Sequence, residues 1–326
     1  QVQQRYVAPR STLEQQLASI WQDVLKLGQV GLRDNFFELG GDSIVSIQVV
    51  SRARQAGIHF TPKDLFQHET IEALAVVARS GETTHVIDQG PVSGTLTLLP
   101  VQRLFFGQAI PERQHWNQAV MLKPTHALDA RVLAQALSAL VVHHDGLRLS
   151  FSERSEGWQA SYRSPASHCA ELLWAVDVPD AQALENIANR AQRSLDLQDG
   201  PLLRAVLATL ADGSQRLLLV IHHLVVDGVS WRILFDDLQS AYRQLADGGM
   251  LQLPAKTTSA QVWAERLQGY ARSASLQEEL AYWQTRLEGV DGRLPMDNPQ
   301  GGQHNHLALT VRTRLDASLT RQLLQD

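Results

Sequence analysis

The sequence predicts two folds in series: a small four-helix bundle, then a larger α/β (α+β) lobe in which sheets carry helices on one face. Three observations carry this. Apolar residues recur at helical spacing through roughly the first quarter of the chain. Gly81, Gly90, Pro91, Ser93, Gly94 and several threonines then break all periodicity between Ser80 and Leu99. Beyond them, helical and strand-like segments alternate. At 326 residues the chain also exceeds the usual size of one domain.

Each element has a local reason. Ser11 and Glu14 stand at capping-box spacing, and Leu13, Leu17, Ile20, Trp21, Val24 and Leu25 then mark one helical face. A second helix is expected from Ser43 to Ala56, with Val45, Val49, Val50 and Ala53 inward. Thr61-Pro62 opens a short third helix, and Thr70 caps a fourth through Ile71, Leu74, Ala75 and Ala78. After a strand at Thr95–Leu99 come a helix at Val101–Ile110, an extended stretch at Gln118–Leu122 and an amphipathic helix at Asp129–Val142. Strands follow near Gly146–Phe151 and Trp158–Arg163, then a helix near Ala181–Leu195. Leu202–Leu210 and Gln215–Ile221, joined by Ala211-Asp-Gly-Ser, form a β-hairpin. Helices near Val229–Leu245, Ser259–Arg272 and Leu276–Leu287 and a strand at Leu307–Leu315 complete the series.

Composition excludes several classes. A formal net charge of -5 gives no electrostatic reason to bind nucleic acid or an anionic membrane. No apolar run approaches the roughly 18 residues that span a bilayer, and the start, Gln1 to Tyr6, lacks the apolar core of a signal peptide. A lone cysteine, Cys169, excludes internal disulfides and fits a reducing, cytoplasmic setting.

Two motifs carry chemistry. In Asp34-Asn-Phe36-Phe37-Glu-Leu39-Gly40-Gly41-Asp42-Ser43, a serine follows two glycines at the start of a helix. The glycines permit a sharp turn that leaves the hydroxyl open, and a helix N-terminus favours a negative phosphodiester. An isolated Gly-Asp-Ser reads as a plain N-cap. The whole segment, however, resembles the attachment motif of peptidyl carrier proteins, which implies 4'-phosphopantetheine covalently bound to Ser43, with Gly41 and Asp42 beside it. The preceding Tyr6-Val-Ala-Pro-Arg10 resembles the exit from an adenylation domain.

The second motif is His222-His223-Leu-Val-Val-Asp227-Gly228-Val-Ser230-Trp231, delivered at the end of the apolar run Leu217–Ile221, which reads as a fully buried strand. A random histidine pair would be core imidazoles bonded to carbonyls. A metal is not expected here, because neighbours on a strand point to opposite faces and no further ligand stands at metal spacing. His143-His144-Asp145-Gly146 lacks the three-residue spacer and reads as structural.

The motif resembles the active-site signature of the condensation superfamily of nonribosomal peptide synthetases, a chloramphenicol-acetyltransferase-like fold. Leu99–Phe106, His143–Phe151, Asp196–Arg204 and Thr257–Leu267 agree with it. Within that superfamily, HHLVVDGVSWRIL looks like the epimerization domain, and the GGDSI form of the first motif is similar to carriers placed before such domains. Peptide-bond-forming members more often read DGWSM-like. The resemblance implies residues 1–10 as the end of an adenylation linker, 11–80 as the carrier, 81–97 as a linker and 98–326 as the N-terminal lobe of an epimerization domain. The implied reaction is inversion at Cα of a carrier-bound aminoacyl or peptidyl thioester. A positioned base and stabilisation of the enolate oxygen are then required, and an imidazole can both take and return a proton.

By resemblance, His223 is the base or acid on one face of the substrate. His222 supports the loop through a backbone bond, and Asp227 pairs with a structural arginine, for which Arg148 is the candidate. Gly228 allows a substrate or helix start to approach, Ser230 caps the helix or bonds the thioester oxygen, and Trp231 packs. The family's EGHGR-like motif with its second catalytic glutamate is not found. Glu288–Arg293 looks like it only superficially, so a single lobe is expected. Implied partners are an adenylation domain upstream in the same chain, a condensation domain downstream and a phosphopantetheinyl transferase. A condensation domain with its carrier, and a catalytically incomplete carrier and docking unit, are the competing readings.

Overall fold

The computed structural model describes residues 6–81, 87–165, 172–292, 295–302, 304 and 307–325. Cys169, Arg293 and Leu294 lie outside them. The chain divides into two compact units, Gln1–Tyr270 and Ala271–Asp326.

The first unit begins with helices α1 (Thr12–Leu25) and α2 (Ser43–Gln55), strand β1 (Ile58–His59), helices α3 (Pro62–Gln67) and α4 (Ile71–Val77), and strand β2 (Arg79–Ser80). The expected capping box closes α1: the Glu14 N–H donates to Ser11 Oγ (3.2 Å) and the Ser11 N–H donates to Glu14 Oε2 (2.8 Å). Thr61 and Asp64 form the same device on α3, and Thr70 caps α4. The four helices share one apolar core, with Leu17, Trp21, Phe36, Val49, Leu65 and Leu74 at its centre. Trp21 meets Phe36 edge-on at 4.9 Å. Phe36 also sits under Gly41: a Cβ there would lie 2.4 Å from its ring and 2.6 Å from its carbonyl oxygen, so position 41 has no room for a side chain.

The rest of the unit holds β3 (Gly94–Leu96), α5 (Pro100–Gly107), β4 (Asn117–Leu122), α6 (Ala130–His143), β5 (Leu149–Arg154), β6 (Gly157–Tyr162), β7 (Leu173–Val178), α7 (Ala181–Gln192), β8 (Leu203–Leu210), β9 (Gln215–His222), α8 (Ser230–Ala246) and α9 (Ala260–Ala271). One sheet has the order β3-β6-β5 and the other β4-β9-β8-β7. The β8–β9 hairpin forms as the sequence predicts, with Leu203 opposite Ile221. β7 was not foreseen. It runs parallel to β8 and reaches it through α7, as a parallel pair requires a crossover.

That crossover corrects the expectation of helices on one face. The four-stranded sheet is covered on both. Leu203, Ala205, Leu207, Leu217, Leu219 and Ile221 pack against α6 and α8, while Val206, Ala208, Leu218 and Val220 pack against α7. Burial on both faces is why β9 reads as an unbroken apolar run rather than an alternation. The second unit carries α10 (Ala274–Leu287), capped by Ser273, and α11 (Ala317–Gln325). The strand expected at Leu307–Leu315 does not form among the described residues, where that segment has no ladder partner.

A buried ionic cluster ties β5, β6 and the segment before β3 together. Arg148 is 0% exposed. Its guanidinium donates to the carbonyls of Arg163 (2.6 Å) and Val92 (2.9 Å) and to the carboxylate of Asp145. Lys256 Nζ donates to the same carboxylate at 3.0 Å. One anion therefore compensates two poorly hydrated cations. Asp145→Ala is expected to destabilise the lobe by about 3–5 kcal/mol, the range for removing one partner of a buried pair; urea unfolding would measure it, and a loss below ~1 kcal/mol would contradict the cluster's role.

Candidate functional site

β9 brings its polar residues to the edge of a dry core. His222, the last residue of the strand, is 0% exposed and packs edge-on against Phe105. Its Nδ1 accepts from the Leu224 N–H at 3.1 Å, so its Nε2 carries the hydrogen and donates to the Arg113 carbonyl at 2.8 Å. Burial pushes this imidazole down to about 4, against the opposing effect of the Arg113 carbonyl. His222 is thus a neutral group bonded to the backbone at both ring nitrogens.

His223 comes next in the chain and turns the other way, with its side chain exposed. Its N–H donates to the Trp116 carbonyl at 2.8 Å. Its Nδ1 lies 2.8 Å from the Val226 carbonyl, which can only accept, so Nδ1 is protonated. Nε2 keeps its lone pair and faces the amide nitrogen of Gln118 at 3.3 Å. Gln118 lies on β4, beside Asn117, which is paired in register with His222. An exposed imidazole whose lone pair is held on Nε2 is an arrangement that can accept a proton.

The rest of the motif organises the start of α8. Asp227 Oδ1 accepts from the Val229 N–H (3.1 Å), the Ser230 N–H (2.8 Å) and the Ser230 hydroxyl (2.7 Å). Burial alone would raise this carboxyl, but those hydrogen bonds and the neighbouring His223 outweigh it and hold it below the ordinary aspartate value.

Two expectations are corrected here. Asp227 does not pair with Arg148, because its oxygen is occupied by the helix start and the Arg148 donors turn to Asp145, Val92 and Arg163. Ser230 is not the cap: Val229 stands at that position without a side-chain bond, and the serine hydroxyl is donated to Asp227. Trp231 packs in the core as expected, and its indole N–H also donates to Gln118 Oε1 at 2.8 Å. At Gly228 a Cβ would meet open space, so the expected close approach of a helix start is not seen there. Gln118 was missed. The available signal was a pair of amides opening an otherwise apolar strand, Asn117-Gln118-Ala-Val-Met-Leu.

The first motif lies at the start of α2. Asp42 is its N-cap and accepts from the N–H groups of Ile44 (2.8 Å) and Val45 (2.6 Å). The aspartate thereby fills the anion site that the sequence reading assigned to a phosphodiester. Ser43 is exposed, and Gly41 seats the turn on Phe36. An exposed serine on a turn packed against Phe36 fits covalent attachment of an arm.

α2 also meets α8. Arg232 Nη1 donates to Gln48 Oε1 at 3.2 Å, and Arg52 stands 4.0 Å from Asp236. Between the helices lies a cavity of about 430 Å³ lined in part by Ile47, Ser51, Val229 and Ile233. The other histidine pair joins α6 to α8: His144 Nε2 is 2.7 Å from Asp237 Oδ2, with His143 alongside. Burial, then the neighbouring His144, hold His143 below the usual imidazole range. Those three side chains group closely enough to hold a metal ion, but His144 and Asp237 are already bonded to each other.

The condensation domain family matches residues 92–325, and the phosphopantetheine attachment site family matches 15–76. The chain belongs to the condensation domain family. Ahead of its condensation-family domain stands a phosphopantetheine attachment domain, so 4'-phosphopantetheine is the covalent cofactor of the helical region. The chain is 44% identical over 331 residues to a linear gramicidin synthase protein of Brevibacillus parabrevis and 44% identical over 325 residues to surfactin synthase subunit 1 of Bacillus subtilis (strain 168). Each match covers 98% of this chain but only 4% and 9% of those proteins. Among solved structures it is similar to the epimerization domain from the third module of tyrocidine synthetase B. There the TM-score is 0.59 at 37% identity, over 65% of this chain and 49% of that one. The starter condensation domain of rhizomide synthetase, at a TM-score of 0.52 and 21% identity over 61% of this chain and 49% of that one, shares the fold.

The His222 environment makes a pH prediction. Its folded value lies below that of an exposed imidazole, so the unfolded chain binds the extra proton first. Stability from this residue is present above about pH 6.5 and is lost as pH falls toward about 4, by up to about 3 kcal/mol. Urea midpoints at pH 7 and pH 5 should show the fall, and replacing His222 with glutamine should flatten that part of the profile.

Proposed function

We propose that the chain is a peptidyl carrier followed by the N-terminal lobe of an epimerization domain in a nonribosomal peptide synthetase. It inverts the Cα of an aminoacyl or peptidyl group held on Ser43. The observation that carries the reading is the exposed His223 ring, with Nδ1 tied to the Val226 carbonyl and the Nε2 lone pair met, among the described residues, only by the Gln118 amide at 3.3 Å. The 37% identity to an epimerization domain supports it over peptide-bond formation, for which the rhizomide synthetase likeness at 21% speaks to the fold alone.

On this reading, residues 11–80 are the four-helix carrier, 81–97 a linker and 98–326 the chloramphenicol-acetyltransferase-like lobe, after an adenylation linker at 1–10. When bound, the pantetheine arm supplies a thioester, which acidifies the α-hydrogen of its cargo. His223 Nε2 takes that hydrogen on one face of the stereocentre or delivers one to it. The bond from Nδ1–H to Val226 holds the ring's tautomer and stabilises the imidazolium that forms. Asp227 acts at one remove, by fixing the Val229–Ser230 turn that frames the loop. His222 holds the strand end. Gly41 and Asp42 shape the turn that presents Ser43 to a phosphopantetheinyl transferase. An adenylation domain in cis loads the arm, a downstream condensation domain receives the product, and the assembly works in the cytoplasm. No helix among the described residues is long and apolar enough to cross a membrane.

In the intact synthetase, loading Ser43 with an L-aminoacyl pantetheine in D2O should yield deuterium at Cα and the D-isomer. His223→Ala should abolish both while leaving modification of Ser43 unchanged by mass. Retention of the α-hydrogen, with an amide formed on a second carrier, would instead establish a condensation domain. Ser43→Ala should lose the mass of the arm altogether.

A further inference from the structure

Three side chains from three parts of the chain meet at the proposed base. Trp231, on the first turn of α8, is buried and donates its indole N–H to Gln118 Oε1 at 2.8 Å. Gln118, on β4, presents its amide nitrogen to His223 Nε2 at 3.3 Å. His223 gives its other ring nitrogen to the Val226 carbonyl at 2.8 Å.

Donor and acceptor chemistry fixes every direction in this chain of contacts. An indole N–H is only a donor, so the oxygen of the Gln118 amide must face Trp231. The nitrogen is then left toward His223, and an amide nitrogen is also only a donor. His223 Nε2 must therefore be the acceptor. The Val226 carbonyl reaches the same tautomer independently from the other side of the ring.

We propose that Gln118 is a positioning residue for His223, and that Trp231 acts through it by fixing which end of the amide faces the imidazole. The inference rests on His223 being the proton-transferring group of the proposed epimerase. Two consequences follow for the reaction. At 3.3 Å the amide contact is longer than an ordinary N–H donor bond of about 2.9–3.0 Å, so an incoming substrate hydrogen displaces it at small cost. Once Nε2 carries a proton, it faces another donor. Passing the proton on restores the contact between the amide donor and the ring lone pair.

Gln118→Glu is nearly isosteric but reverses the polarity of the contact, since a carboxylate accepts from Nε2–H. In the intact synthetase with Ser43 loaded, single-turnover deuterium uptake at Cα is expected to slow by about 10- to 100-fold, the scale of a misplaced catalytic group. In the 326-residue chain, ¹⁵N spectra of His223 should show Nε2 carrying a lone pair in the wild type and a hydrogen in the variant.

Trp231→Phe keeps the ring and removes the N–H. It should slow exchange on its own but add no further loss in a Gln118→Leu background, because its effect passes through Gln118. Wild-type exchange and an unchanged Nε2 signal in Gln118→Glu would overturn the proposal, as would full multiplication of the Gln118→Leu and Trp231→Phe losses. If the wild-type synthetase takes up no deuterium, the epimerase reading falls, and the ¹⁵N comparison still decides whether Gln118 sets the state of His223.

Discussion

The loop at the end of β9 depends on a buried imidazole that carries no charge. His222 closes two hydrogen bonds inside the core, one from the Leu224 amide and one to the Arg113 carbonyl. Both would otherwise be orphaned polar groups in an apolar setting, and each would cost about 1–3 kcal/mol. With them satisfied, the strand ends cleanly and the next residue is thrown to the opposite side of the sheet edge. A side chain of the wrong hydrogen-bonding pattern at 222 would leave the chain after it without a fixed course. The exposed His223, the Val226 carbonyl it bonds and the Asp227 turn all inherit their placement from this one residue.

The same logic of saturating polar atoms runs through the rest of the unit. Asp227 spends its oxygen on the start of α8, Asp42 on the start of α2, and Asp145 on two cations. Each of these carboxylates serves local structure, and the exposed His223 and Ser43 lie beside two of the turns they hold. α2, which begins at Ser43, and α8, which follows the His223 loop, also meet, by Arg232 to Gln48 and Arg52 to Asp236.

What could be read from the sequence was local. Caps, the hairpin and the apolar face of α6 are set by neighbours within a few positions, so Ser11, Thr61, Thr70 and Asp129 were all identified as helix starts. The full burial of β9 was legible because an unbroken run of Leu, Val and Ile leaves no polar face to turn toward water. Pairings over long separations were not legible. Arg148 was matched to Asp227, yet Asp145, three residues away, lies in the same buried pocket and is the better counterion there. Gln118 contacts a histidine 105 positions later, and only the register between β4 and β9 brings them together. β7 escaped because it is a short strand whose partner follows a helix, and its own pattern, Leu-Trp-Ala-Val-Asp-Val, alternates only weakly.

The bond from His223 Nδ1 to the Val226 carbonyl has a stereochemical consequence. A ring whose second nitrogen is permanently engaged has one doorway for a proton, and traffic in both directions passes through Nε2. Such a group can lift a hydrogen from one side of a carbon and set it back on that same side, which regenerates the starting hand. Mirror-image product therefore demands a delivery from across the trigonal centre, made by a different group from the one that performed the removal.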